Sequence, residues 1–153
     1  MKDKVKAFTA PVRAYLNTIH ALRIEGFRLD EKVKELETKC TKITAAANGV
    51  PSSGGHDTQA LWAVLADEQN RYTREQAETL KKIREIEGFV NRIPNKVYQT
   101  LIKLKYLDDL PWRDVHKHLC NDKTNIYFSE RTLFRLRDQA LIAAQKQFDE
   151  ENK

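Results

Sequence analysis

No proline interrupts the chain between Pro11 and Pro51, and over that interval apolar residues recur at alternating steps of four and three. The line runs through Tyr15, Ile19, Leu22, Gly26, Leu29, Val33, Leu36, Cys40, Ile43 and Ala47, with charges such as Arg28, Asp30, Glu31, Lys34 and Glu35 between. A repeat of this kind keeps one edge of a helix apolar along its whole length, so the stretch predicts a long helix with a coiled-coil-like seam. Such a helix cannot bury its stripe alone and needs a partner helix, from the same chain or from another.

A second helix is written into the chain. Asn48-Gly49-Val50-Pro51-Ser52-Ser53-Gly54-Gly55 is a stop signal: Asn-Gly suits a left-handed cap and Pro51 prevents resumption. Helical periodicity returns after Asp57 or Thr58, either of which suits an N-cap. Its apolar positions are Leu61, Trp62, Leu65, Tyr72, Leu80, Ile83, Ile86, Val90 and Ile93. The middle, from Asp67 to Glu78, is polar apart from Tyr72 and Ala77, so poorer packing is expected there. The expectation is a long antiparallel helical hairpin over residues 1–93, with helices at about 9–47 and 57–92 and a loop at 48–56. Ile19, Leu22, Leu29, Val33, Leu36 and Ile43 are its candidate seam or oligomerisation residues. The periodicity suits a seam within one chain, between copies in a homo-oligomer, or both.

Pro94 closes the second helix, because the residue before a proline is biased away from the α region. Val97, Leu101, Leu104 and Leu107 predict a helix over 95–107, which Asp108-Asp109-Leu110-Pro111 ends. Trp112, Val115 and Leu119 share one face of a short helix that Pro111 opens. After an irregular stretch from Cys120 to Phe128, Ser129 caps a final helix with Leu133, Leu136, Ala140, Ala144 and Gln147 along its inner line. Residues 94–153 therefore read as a helix-turn-helix domain, and the fold class expected for the chain is all-α.

On the final helix, 129–148, Arg131, Arg135 and Asp138 lie opposite the Leu133/Leu136/Ala140 line, with Glu130 and Phe134 beside that arc. Arginine can make bidentate bonds to guanine, and glutamate can accept from cytosine N4. These five are the candidate base contacts. Phe134 also forms a stripe with Leu141 and Phe148 that suits packing equally well. Arg113, Lys117, Lys123, Tyr127 and Ser129 are the candidate phosphate contacts.

The net charge of +5 over 153 residues is a weak indicator of polyanion binding, but it is unevenly spread. Residues 1–47 carry +4, 57–93 carry −1, and 94–148 carry +4. No run approaches the roughly 18 apolar residues of a membrane span, and the N-terminal stretch lacks the unbroken apolar core of a secretory signal. Two cysteines, Cys40 and Cys120, make no disulfide framework, so the cytoplasm is the expected compartment. His116, His118 and Cys120 spread over different helical faces and have no second ligand pair nearby, so no metal or other cofactor is expected. There is no Gly-rich phosphate loop and no nucleophile elbow, and enzymatic activity is not expected.

The segments Tyr106-Leu107-Asp108-Asp109-Leu110-Pro111-Trp112-Arg113-Asp114-Val115 and Tyr127-Phe128-Ser129-Glu130-Arg131-Thr132-Leu133-Phe134-Arg135-Leu136, then Ala140-Leu141, resemble sigma-factor region 4. The closer resemblance is to phage-encoded late-transcription regulators of the RinA and ArpU type. It extends over most of the chain, but only about the last 55 residues carry specific motifs. It implies sequence-specific binding of double-stranded DNA and control of phage gene transcription in a bacterial host. The expectation built on it is an activator of phage or prophage late genes that oligomerises, or contacts host RNA polymerase, through the long hairpin. In the region-4 pattern the base contacts match Glu130, Arg131, Phe134, Arg135 and Asp138. The loop from Asn121 to Phe128 departs from that pattern, being longer than a minimal helix-turn-helix turn. A small terminase subunit for phage DNA packaging is the alternative, although such proteins usually place the DNA module first. A helical interaction protein without a DNA role is the third.

Overall fold

A computed structural model describes residues 2–49 and 55–153, with no account of the side chains of 46–58. Among the described residues the chain is all-helical, with no strand. Helix α1 (Lys2–Phe8) precedes the two long helices α2 (Ala10–Gly49) and α3 (Gly55–Arg92). Helix α4 (Lys96–Ile102) continues into a π-helical turn at Lys103–Leu107, and α5 (Trp112–Leu119) and α6 (Glu130–Glu151) complete the chain. The expected hairpin helices are thus present with nearly the expected bounds. Of the expected loop at 48–56, residues 50–54 lie outside the described residues. Asn48 and Gly49 still belong to α2, and α3 begins at Gly55, so Asp57 and Thr58 lie inside its first turn and not at the expected N-cap.

Two compact units divide the chain, and neither ends at the Ile93–Pro94 junction. One comprises the chain up to His20 together with Arg84–Lys153, and the other is Ala21–Ile83. The physical reason lies in the apolar residues at the open ends of α2 and α3. Val12, Leu16 and Ile19 are fully buried, as are Phe89, Val90 and Ile93 to within 1%. They join α6 through an aromatic cluster: Tyr15 stands 5.3 Å from both Phe89 and Phe148, and Phe89 is 6.2 Å from Phe148. Arg92 and Glu151 tie the ends of α3 and α6 through a two-pronged ion pair at 2.6 and 3.1 Å. The guanidinium holds the Glu151 carboxyl below its ordinary range.

Two buried glutamines complete this unit. Gln145 on α6 accepts a hydrogen bond from the Val12 N–H at 3.0 Å, satisfying a first-turn donor of α2 that has no intrahelical acceptor. Gln99 on α4 donates to the carbonyls of Asn91 and Ile93 at 3.1 and 2.7 Å, which closes the C-terminus of α3. The chain then reverses at Asn95, whose positive φ of 86° places its carboxamide to accept from Val97 N–H.

In the second unit the long helices face each other along the expected line. Leu29 and Leu36 are buried, whereas Leu22, Val33, Cys40 and Ile43 are half-buried. At Gly26 an added Cβ would lie 3.8 Å from the Thr79 methyl, so this register position faces α3 directly. Packing is thinner through the polar middle of α3. Between Leu65 and Thr79 no side chain is buried, and Gln76 reaches Asp30 at 3.5 Å. Along α2 the short-range pairs Arg28–Glu25 and Lys34–Asp30 contribute little to stability at this exposure.

Candidate nucleic-acid interface

The interface candidate is built on α4, its π turn, α5 and α6. Leu101 and Ile102 are fully buried, and Tyr106 and Leu107 nearly so. The last turn widens: Asp108 N–H bonds to the carbonyl of Lys103 at 2.8 Å, five residues back. That geometry replaces the plain α-helix expected through residue 107. Leu110 N–H then returns to Leu104 O at 3.1 Å, and Pro111 opens α5. On α5, Val115 is fully buried, with Trp112 and Leu119 half-buried.

The segment from Cys120 to Phe128 is held by its own polar groups. The Asn121 carboxamide accepts from Lys123 and Thr124 N–H and donates to the carbonyls of Lys117 and His118. His116 Nε2 contacts Phe128 O at 2.7 Å, and its ring lies 5.7 Å from the Phe128 ring. His116 is therefore engaged in holding the loop end. Among the described residues no group of three or more His, Cys, Asp or Glu is placed for a metal.

Ser129 is the N-cap of α6, as its sequence position predicts. Its backbone is extended, its hydroxyl accepts from Thr132 N–H at 3.3 Å, and its carbonyl accepts the first helical bond from Leu133 at 3.1 Å. Leu133, Ala140 and Ala144 are buried on the inner line, with Leu136 half-buried. Gln147 stands apart from that line. It is half-buried and bonds to Glu151, while the buried glutamine is Gln145.

The five candidate base-contacting residues differ in their surroundings. Glu130, Arg131 and Arg135 are exposed on the first turns of α6, and none has an ion pair among the described residues. Phe134 contacts α5 but remains 38% exposed. The Phe134 ring lies edge-on to Trp112 at 6.3 Å, so one edge packs while the rest stays open. Asp138 is half-buried and bonds to Arg137 at 2.9 Å. Arg137, absent from the residues expected at the interface, covers the Phe134 ring at 5.0 Å and the Trp112 ring at 5.8 Å. Its spacing of three from Phe134 was the available signal.

The phosphate candidates Arg113, Lys117 and Lys123 are exposed. Tyr127 is also exposed, but its hydroxyl donates to Asp122 at 2.8 Å, and that bond raises its pKa. The Ser129 hydroxyl is occupied by capping. The seam residues Ile19 and Leu22 fall in different compact units, with Leu29, Val33, Leu36 and Ile43 accompanying Leu22.

No helix of the described residues is long and apolar enough to cross a membrane. No curated protein and no solved structure matches the chain. Residues 49–144, more than half of the chain and spanning α3 to most of α6, match a family described as "Protein of unknown function (DUF1492)", and the chain belongs to that family.

Proposed function

We propose that the protein is a sequence-specific DNA-binding transcriptional regulator, an activator of phage or prophage late genes of the RinA and ArpU type. The observation that carries this reading is the two exposed arginines, Arg131 and Arg135, without an ion pair among the described residues, beside Glu130 on the first turns of a capped helix. An α-helix presented in this way fits the major groove, and its exposed guanidiniums suit bidentate contacts to guanine. Arg113, Lys117 and Lys123 add cations for the flanking phosphates. The resemblance of the 106–115 and 127–136 segments to sigma-factor region 4 supports the same assignment. In this reading α2 and α3 carry contacts to a second copy of the chain or to RNA polymerase.

The test uses a duplex selected from a random-sequence pool by the full chain. Arg131→Ala and Arg135→Ala are each expected to weaken binding by about 1–3 kcal/mol and to relax preference at one base position. Lys117→Ala should weaken all sequences alike and flatten the salt dependence. If both arginine variants hold the selected duplex as tightly as wild type, α6 is not the recognition helix.

A further inference from the structure

Helix α1 brings the N-terminal basic residues against the C-terminal module. A cavity of about 350 Å³ lies where α1 and the start of α2 meet the π turn, α5 and α6. Five of its lining residues are cations: Lys2, Lys6, Arg13, Lys105 and Arg137. Only two are carboxylates, Asp3 and Asp138, so the lining carries a net +3. Asp138 is already matched by Arg137. The volume lies at the small end of ligand pockets.

Three of the five cations, Arg13, Lys105 and Arg137, are held in place. The Arg13 guanidinium bonds to the Lys6 carbonyl and to Thr9 Oγ1, neither of which neutralises it. The Lys105 ammonium donates to Leu110 O at 3.3 Å and lies 5.3 Å from the Trp112 ring centre. Neither Arg13 nor Lys105 has a carboxylate partner among the described residues. Tyr106 lines the same cavity and is only 7% exposed. Its hydroxyl has no hydrogen-bond partner, yet no fully buried side-chain oxygen among the described residues lacks one. The hydroxyl therefore keeps some exposure, and Arg13 and Arg137, both lining the cavity, are the charges that act on it.

We infer that this cavity is a phosphate-binding site, separate from the exposed arginines of α6. Fixed guanidiniums, ammonium groups and a tyrosine hydroxyl match a compact, multiply charged oxyanion better than a single carboxylate. Donors already held in position lose little freedom on binding. The phosphate group comes either from a nucleic-acid backbone or from a free phosphorylated small molecule. The site takes a phosphate whether or not α6 reads DNA, so the two assignments fail separately.

The probe is inorganic pyrophosphate, titrated into the full chain at constant ionic strength. The readout is the indole N–H of Trp112 by NMR, told from that of Trp62 with Trp62→Phe. A saturable shift of Trp112 alone is expected. Lys6→Gln and Lys105→Gln should each weaken binding at least about fivefold, equivalent to roughly 1 kcal/mol. Tyr106→Phe keeps the ring and removes the hydroxyl, and should weaken binding several-fold. Lys6 offers a clean variant, because its carbonyl and not its side chain holds Arg13. A short duplex then separates the sources. Displacement of pyrophosphate by the duplex, with loss of duplex affinity in Lys6→Gln, identifies the backbone. Pyrophosphate binding undisturbed by duplex identifies a free molecule. The absence of a saturable shift, or equal affinity in all three variants, overturns the site.

Discussion

Single side chains carry much of the organisation of the first unit. Gln145 is the clearest case: it is 3% exposed and receives the Val12 N–H from the start of α2. Its polarity gives no hint of this role, because the acceptor it provides is used 133 residues away. Gln145→Leu removes the acceptor and leaves a backbone donor buried. A loss of about 1–3 kcal/mol in urea unfolding is expected. Gln147→Ala, two positions on and half-buried, should cost about 0.5 kcal/mol or less. Equal effects would mean that the Val12 bond does not matter. The same locality separates Phe134 and Asp138 from Arg131 and Arg135. All four share a helix, but Phe134 also touches Trp112 and Asp138 is paired with Arg137, whereas the two arginines have no ion pair among the described residues.

Element ends, more than element interiors, define the candidate interface. Ser129 fixes where α6 begins, and the Asn121 carboxamide and His116 fix the loop that delivers the chain to it. Ser129→Ala is expected to destabilise the protein by about 0.5–2 kcal/mol, and Ser129→Gly by only a few tenths. Hydrogen exchange should place the loss in the first turn of α6, at the amide of Thr132. If protection there is unchanged in the alanine variant, Ser129 is not the cap that orders the helix. The π turn at Lys103–Leu107 acts at the other end of the module. It carries Tyr106 toward the basic cavity and delivers the chain to Pro111. Leucine spacing alone cannot distinguish it from an α-helix, because one wider turn leaves most of the apolar pattern intact.

For the molecule as a whole, the ends of the long helices belong to the C-terminal module. The aromatic cluster of Tyr15, Phe89 and Phe148 joins three segments that are far apart in sequence. Phe89→Ala should lower stability by about 3–5 kcal/mol, read as a shift in the urea midpoint with unchanged slope. A cost below about 1 kcal/mol would show that the cluster is peripheral to the core. The all-helical class, the two long helices, the break at Pro94, and the Ser129 cap were all legible in the sequence. Each rests on local physics: helical periodicity, proline geometry and capping chemistry act within a few residues. Tertiary structure alone decided that α1 forms and meets α6, that the compact units divide near His20 and Arg84, and that Gln145 and Phe89 are core. It also decided that Asp138 is half-buried and paired with Arg137 while Glu130, Arg131, Phe134 and Arg135 stay exposed. Those outcomes depend on contacts between residues tens to more than a hundred positions apart. The unbroken heptad line announces that α2 must be covered, but what covers each stretch is set by the three-dimensional meeting of faces that periodicity cannot rank.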